Sequence, residues 1–356
     1  MNGSGKLVTQ RPSNSRVTGL DAARVVATFG IVWVHVAEIQ GQPAALCTLG
    51  RFGTSFYTLA ALFLSSRAFF LRKCPDALGI VKRRATRLLV PYLLWCVLYA
   101  CFYFSTMYPQ GHPVDAITRN WGPFFGTAPH LWFLPFAFCA GALSTFAVPR
   151  LMKLPGWFLI GGGSLITLGV YVYIYGWGYH AVDQRALNAY HLNRLDRWVE
   201  EVPLVCGALF GLATYGKYIH RLARIGRKKR IQLAWVSFCL FLVTQLCYAL
   251  FLDDLGSLFW NRVRFFANIA GALWLISVVS ARDSRWTRRI APLGRATYFA
   301  YLSHQMILDS IKGQLTSLPG YGSLGFALLS SLLIFATAVS LGLLVARVKL
   351  LKFLSP

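Results

Sequence analysis

Apolar runs of about twenty residues recur along this chain, separated by short polar segments rich in Lys and Arg. A helix needs about twenty apolar residues to cross about 30 Å of hydrocarbon, so the pattern predicts an all-α, polytopic integral membrane protein. Ten spans are predicted, at about 19–39, 52–71, 88–108, 130–149, 156–177, 202–216, 231–252, 262–280, 296–312 and 323–346. The third opens at Pro91, the fourth at His130-Leu131-Trp132-Phe133-Leu134-Pro135, and the sixth is short and glycine-rich. No internal repeat, low-complexity tract or separate soluble domain interrupts them. Residues 1–17 read as a basic cytoplasmic tail, 18–346 as one ten-helix transmembrane domain and 347–356 as a short cytoplasmic tail.

The polar segments orient this frame, because cytoplasmic loops carry the excess of Lys and Arg. Residues 72–87 hold Arg72, Lys73, Lys82, Arg83, Arg84 and Arg87 against Asp76 alone. Residues 217–230 hold seven Lys/Arg and no acid, and 281–295 hold five Arg and one Asp. The intervening segments differ. Residues 109–129 hold one Arg, 253–261 hold Asp253 and Asp254, and 313–322 hold no charge. Every alternate segment obeys the rule, which predicts that both termini are cytoplasmic.

Composition supports this reading. The 356 residues are 56% hydrophobic and only 13% charged, where a soluble domain averages about 25% charged. A net charge of +24 would suggest nucleic acid in a soluble protein. Here the basic residues orient spans, and no nucleic-acid partner is expected. Eight cysteines form no CxxC pair and mostly fall inside apolar runs, as small core residues do. No metal-ligand spacing links the histidines, and no metal is expected.

The candidate chemistry lies where ionisable residues enter the spans, since such groups are costly in a membrane and tend to be functional. The first span carries Asp21, Arg24, His35 and Glu38. Arg24 and His35 are eleven positions apart, three helical turns plus about 20°, so they share a face. Glu38 is one turn past His35 on that face. His35 is the candidate catalytic base, since imidazole titrates near neutral pH, and Glu38 is the candidate for orienting it. Arg84 and Arg87, at i and i+3, join Arg24 at the predicted cytoplasmic mouth. Guanidinium forks suit phosphate oxygens, so the three predict a polyanion site. His130 reads as an interfacial residue or a site residue at the outer end of the fourth span. His304 lies deeper in the ninth span, one turn after Tyr301. Arg67 and Asp309 are further charges within spans that need partners.

These residues resemble the motifs of the membrane acyltransferase-3 family. GLDAARVVATFGIVWVH is similar to that family's first helix, with Arg24 and His35 in its R-x10-H positions. RRATRLLVPYLLW is similar to its R-x-x-R-x-x-x-P signature, with Arg84 and Arg87. HLWFL, GRATYFAYLSHQMIL and VPLVCGALFGLATYG resemble further segments, so the likeness covers residues 18–345. It implies an inner-membrane O-acyltransferase with acetyl-CoA as donor and a hydroxyl of a polysaccharide or lipid-linked sugar as acceptor. It implies that His35 is essential and that Arg24, Arg84 and Arg87 bind the donor. His130, Trp132, Tyr301 and His304 fall in its later motifs, as acceptor-side or supporting residues. The second span departs from the family pattern, with SFYTLAALFLSSRAFF in place of a Phe-Phe-x-x-Ser-Gly segment, and no extracytoplasmic domain is fused. That leaves room for partner proteins of polysaccharide assembly. The alternatives are a transporter or flippase for an anionic or lipid-linked sugar, which predicts repeated halves, and a sensor or scaffold, which predicts dispensable charges.

Overall fold

The computed structural model describes residues 18–43, 46–47, 49–70, 76–107, 126–128, 130–174, 195–222 and 285–348, with scattered positions between 229 and 271. The predicted tail 1–17 and most of the spans at 231–252 and 262–280 lie outside the described residues. Among those described, the regular structure is helical. The helices are α1 (Thr18–Ile39), α2 (Phe52–Phe70), α3 (Ala77–Met107), α4 (Phe133–Leu151), α5 (Gly163–Tyr173) and α6 (Leu195–Leu222). They are followed by α7 (Arg285–Ile290), α8 (Thr297–Thr316) and α9 (Leu324–Val345). A π-helical turn, Phe158–Gly162, leads into α5, and a 3-10 turn, Ala291–Arg295, leads into α8. Four of the described helical stretches are long and apolar enough to cross a membrane: Gly19–Ile39, Ala77–Thr106, Phe133–Leu151 and Leu324–Val345.

Helix α1 is central and packs against α2, α8, α9 and the 3-10 turn. Small residues make that possible. Ala22, Ala23 and Ala27 are almost wholly buried. A Cβ added at Gly53 of α2 would lie 2.4 Å from the Ala27 carbonyl oxygen, and one at Gly30 would lie 2.8 Å from that of Gly50. Small residues at such crossings let helix backbones approach closely, which is how helices associate where lipid removes the hydrophobic drive. Helix α2 in turn packs on α4 and α6, and α4 on α3. Hydroxyls fasten the α2–α4 seam: Ser66 and Ser144 meet at 2.5 Å, and Ser144 also donates to the Leu62 carbonyl at 3.1 Å.

Helix α3 corrects the sequence reading of the third span. It begins at Ala77, not near Leu88, so the basic cluster Lys82–Arg87 is helical and Pro91 lies inside the helix. Proline has no N–H for the carbonyl four residues before it, here that of Arg87. The Tyr298 hydroxyl donates to that carbonyl from α8, over a long 3.5 Å. Farther along α3, Tyr92, Trp95 and Tyr99 are buried, whereas Leu93 and Val97 on the other side are each 61% exposed. An aromatic face turned to the bundle and an aliphatic face turned out is what lipid selects. The predicted sixth span is likewise longer, as the 28-residue α6 with Pro203 inside it.

Candidate functional site

Two cavities lie along α1, and they share the side chains of Phe133 and Tyr301. The smaller, about 130 Å³, is lined by Arg24, Arg84, Tyr57 and Tyr298 among apolar residues. The larger, about 440 Å³, is lined by His35, Glu38, Arg51, His130, Trp132 and Gln305 among others. The helical repeat that puts Arg24 and His35 on one face of α1 therefore gives each cavity one of the two.

At the arginine end, Arg24 is 30% exposed and sits 3.6 Å from Asp21, one turn before it. Its backbone carbonyl accepts hydrogen bonds from Thr28 (2.8 Å) and from Tyr57 of α2 (3.2 Å). The Thr28 and Tyr57 hydroxyls also meet at 2.6 Å. Arg84 reaches the cavity wall from α3 and lies against Gly141 of α4. A Cβ at Gly141 would stand 3.2 Å from its Nη1. Arg87 is exposed and does not line this cavity. The structure thus brings together two of the three arginines singled out from sequence.

At the histidine end, three imidazoles converge, His35 from α1, His304 from α8 and His130 from the turn before α4. The ring centres of His35 and His304 are 5.2 Å apart, those of His130 and His304 5.0 Å, and those of His35 and His130 6.5 Å. His304 is fully buried and His130 is 4% exposed, so the interfacial reading of His130 is corrected. Its place follows from a wedge. The Tyr99 hydroxyl from α3 accepts from the Met306 N–H (3.0 Å) and donates to the Leu302 carbonyl (2.8 Å), inserting into the α8 ladder. The same carbonyl lies 3.2 Å from His130 Nε2, and the Tyr301 hydroxyl donates to the His130 carbonyl. Changing Tyr99 to Phe removes the partner of the partly buried Met306 N–H. That is expected to cost about 1–3 kcal/mol, read as a lower midpoint of heat-induced aggregation in detergent.

These bonds fix tautomers. A carbonyl only accepts, so His304 Nδ1, 2.7 Å from the Tyr301 carbonyl, carries a proton. The lone pair of neutral His304 is then on Nε2, which is buried with no protein hydrogen-bond partner. By the same logic His130 is protonated at Nε2. His35 is only partly buried and lines the larger cavity. Glu38, at its rim, holds Arg51 at 2.7 Å. That ion pair gives the carboxylate a cation that the sequence reading had not considered. Among the described residues, no three His, Cys, Asp or Glu side chains are placed to hold a metal ion. Cys47, between α1 and α2, is buried and donates to the Gln42 carbonyl at 3.3 Å. Burial, and secondarily Glu38, push its thiol above the usual range, so it is a poor nucleophile at neutral pH.

The other charges find places too. Arg67 is exposed in the last turn of α2. Asp309 accepts from Tyr103 (3.1 Å) and from Gln305 (2.9 Å). Sequence reasoning missed Tyr57, Tyr99, Phe133, Arg51 and Gln305. Tyr57 and Tyr99 are tyrosines among many in apolar spans, and nothing local marks which of them reach a neighbouring backbone. Arg51 and Gln305 have a signal, each within a few residues of a span end or a candidate histidine.

The arrangement is a guanidinium-lined cavity joined through two aromatic side chains to an imidazole-lined one. A polyanion can be held at the first while a proton is moved at the second. Neither a curated protein nor a solved structure matches the chain. A family model does, the one described as acyltransferase domain, over residues 17–346. That span is nearly the whole chain, and the protein belongs to the membrane acyltransferase-3 family.

Proposed function

We propose that this membrane acyltransferase is an inner-membrane O-acetyltransferase of ten spans with both ends cytoplasmic. Acetyl-CoA binds from the cytoplasm at the arginine end, with Arg24 and Arg84 on its phosphates and Arg87 nearby. The acetyl end reaches past Tyr301 and Phe133 into the larger cavity. There a hydroxyl of an exported polysaccharide or lipid-linked sugar accepts it. His35 takes the hydroxyl proton as the oxygen attacks the thioester carbonyl, and the CoA thiolate leaves. In the covalent variant His35 first carries the acetyl group and then yields it to the hydroxyl. Glu38, paired with Arg51, keeps the rim polar and near His35.

The observation that carries this reading is the pair of cavities that share Phe133 and Tyr301, arginines on one and His35 and His130 on the other. The divide between the cavities is aromatic. Tyr301 stands 6.1 Å from Phe133 and 6.3 Å from Tyr57, centre to centre.

Purified protein with acetyl-CoA tests it. A ligand held at ten times its Kd stabilises the folded state by about 1.4 kcal/mol. Millimolar acetyl-CoA is therefore expected to raise the heat-aggregation midpoint by a few degrees and to yield free CoA by mass spectrometry when sugar acceptors are added. No stabilisation and no free CoA would favour the transporter.

A further inference from the structure

We infer that Gln305 reads a second hydroxyl of a polyhydroxylated acceptor in the larger cavity, held in its accepting orientation by Asp309. This deepens the proposed function, which supplies the identification of that cavity as the acceptor end. Gln305 lines the cavity and is 8% exposed. Its amide is not free to turn. Asp309, one turn along α8, takes the Gln305 Nε2 hydrogen bond on one carboxylate oxygen at 2.9 Å. The other oxygen takes the Tyr103 hydroxyl from α3 at 3.1 Å. A carboxylate has only acceptors, so the amide nitrogen faces Asp309 and the amide oxygen faces away.

That leaves Gln305 Oε1 buried with no protein donor. A buried acceptor without a donor is costly, and a hydroxyl of a ligand in the cavity supplies such a donor. The cavity volume of about 440 Å³ is that of a small-molecule site. Glu38 at the rim is paired with Arg51, so the cavity presents no unpaired charge from that ion pair. The ligand chemistry that fits is a neutral compound with several hydroxyls. One hydroxyl lies near the imidazoles and another on Gln305, so Gln305 selects which hydroxyl faces the histidines. It is a specificity-determining residue, and Asp309 and Tyr103 are positioning residues.

The test uses the full chain in detergent, with methyl α-D-glucopyranoside and its monodeoxy analogues as probes, followed by tryptophan fluorescence; Trp132 lines the cavity. In the wild type, removing one particular hydroxyl is expected to weaken binding about tenfold, the usual worth of one hydrogen bond. In Gln305→Leu that same deoxygenation is expected to cost nothing. The double variant Gln305→Glu with Asp309→Asn reverses donor and acceptor along the same pair and keeps an acceptor toward the cavity. It is expected to recover most of the tenfold discrimination, which a merely structural role would not predict. Absence of glucoside binding in the wild type at about 100 mM, where a binding free energy of only about −1.4 kcal/mol would half-fill the site, overturns the inference. So does discrimination that survives in Gln305→Leu. Discrimination that follows Gln305 in a protein that never releases CoA from acetyl-CoA supports the polyol site and overturns the acetyl-transfer reading instead.

Discussion

Replacing His35 with Ala is expected to lower acetyl transfer by about 10²–10⁴-fold, the range that a positioned general base contributes. The loss should appear in kcat. The arginines proposed to hold the donor sit on the other cavity, so acetyl-CoA should still stabilise the variant against heat. His304 and His130 do not substitute for the missing group. His304 is fully buried and does not line the cavity, and His130 is 4% exposed. His35 is the imidazole of the three that is only partly buried and lines the cavity. A base must reach the proton it takes, and geometry ranks before acidity in choosing it. Transfer at the wild-type rate by a stably inserted His35→Ala protein would remove His35 from the mechanism.

The second large effect is at Arg84. Arg84→Ala is expected to raise the KM for acetyl-CoA by about 10- to 100-fold, since a hydrogen bond to a charged group is worth about 1.5–3 kcal/mol. The effect on kcat should be smaller, because the contact is with the distant phosphates and is the same in ground and transition states. Gly141→Val offers an independent route to the same result. A side chain there meets Arg84 Nη1 within 3.2 Å and Ser65 Oγ within 2.7 Å, so it displaces the guanidinium without removing it. Arg87→Ala is expected to be milder, because Arg87 is exposed and stands off the cavity wall. Raised salt should weaken donor binding in the wild type and do less in Arg84→Ala. An unchanged KM in Arg84→Ala would move the phosphate site elsewhere.

The sequence made the first helix legible almost to the residue: a span expected at about 19–39 is observed as Thr18–Ile39. Hydropathy and the spacing of Arg24 and His35 are both local properties, and local properties survive without a fold. The third span was legible in content but not in extent. Basic residues at a membrane surface look alike whether they lie on a loop or on a projecting helix, and Pro91 resembled a start. The carbonyl that Pro91 leaves without a helical donor is met by the Tyr298 hydroxyl, from 211 residues along the chain. The histidine cluster was the least legible. Each of His35, His130 and His304 was visible as an oddity in its own span, but their convergence depends on Tyr99 opening the α8 ladder toward His130. The second span, where the chain departs from the family pattern, supplies Tyr57 beside Tyr301 at the divide between the cavities.

The central claim is that acetyl groups enter at the arginine end and leave at the histidine end. Sealed vesicles with the protein in one orientation test it most directly, using radiolabelled acetyl-CoA, which does not cross the bilayer, and a sugar acceptor supplied only to the opposite compartment. Labelled sugar is expected when acetyl-CoA faces the Arg24 and Arg84 end and the sugar faces the His35 end, and none is expected with the compartments exchanged. Equal labelling in both arrangements, or labelling only in the exchanged one, would contradict the account.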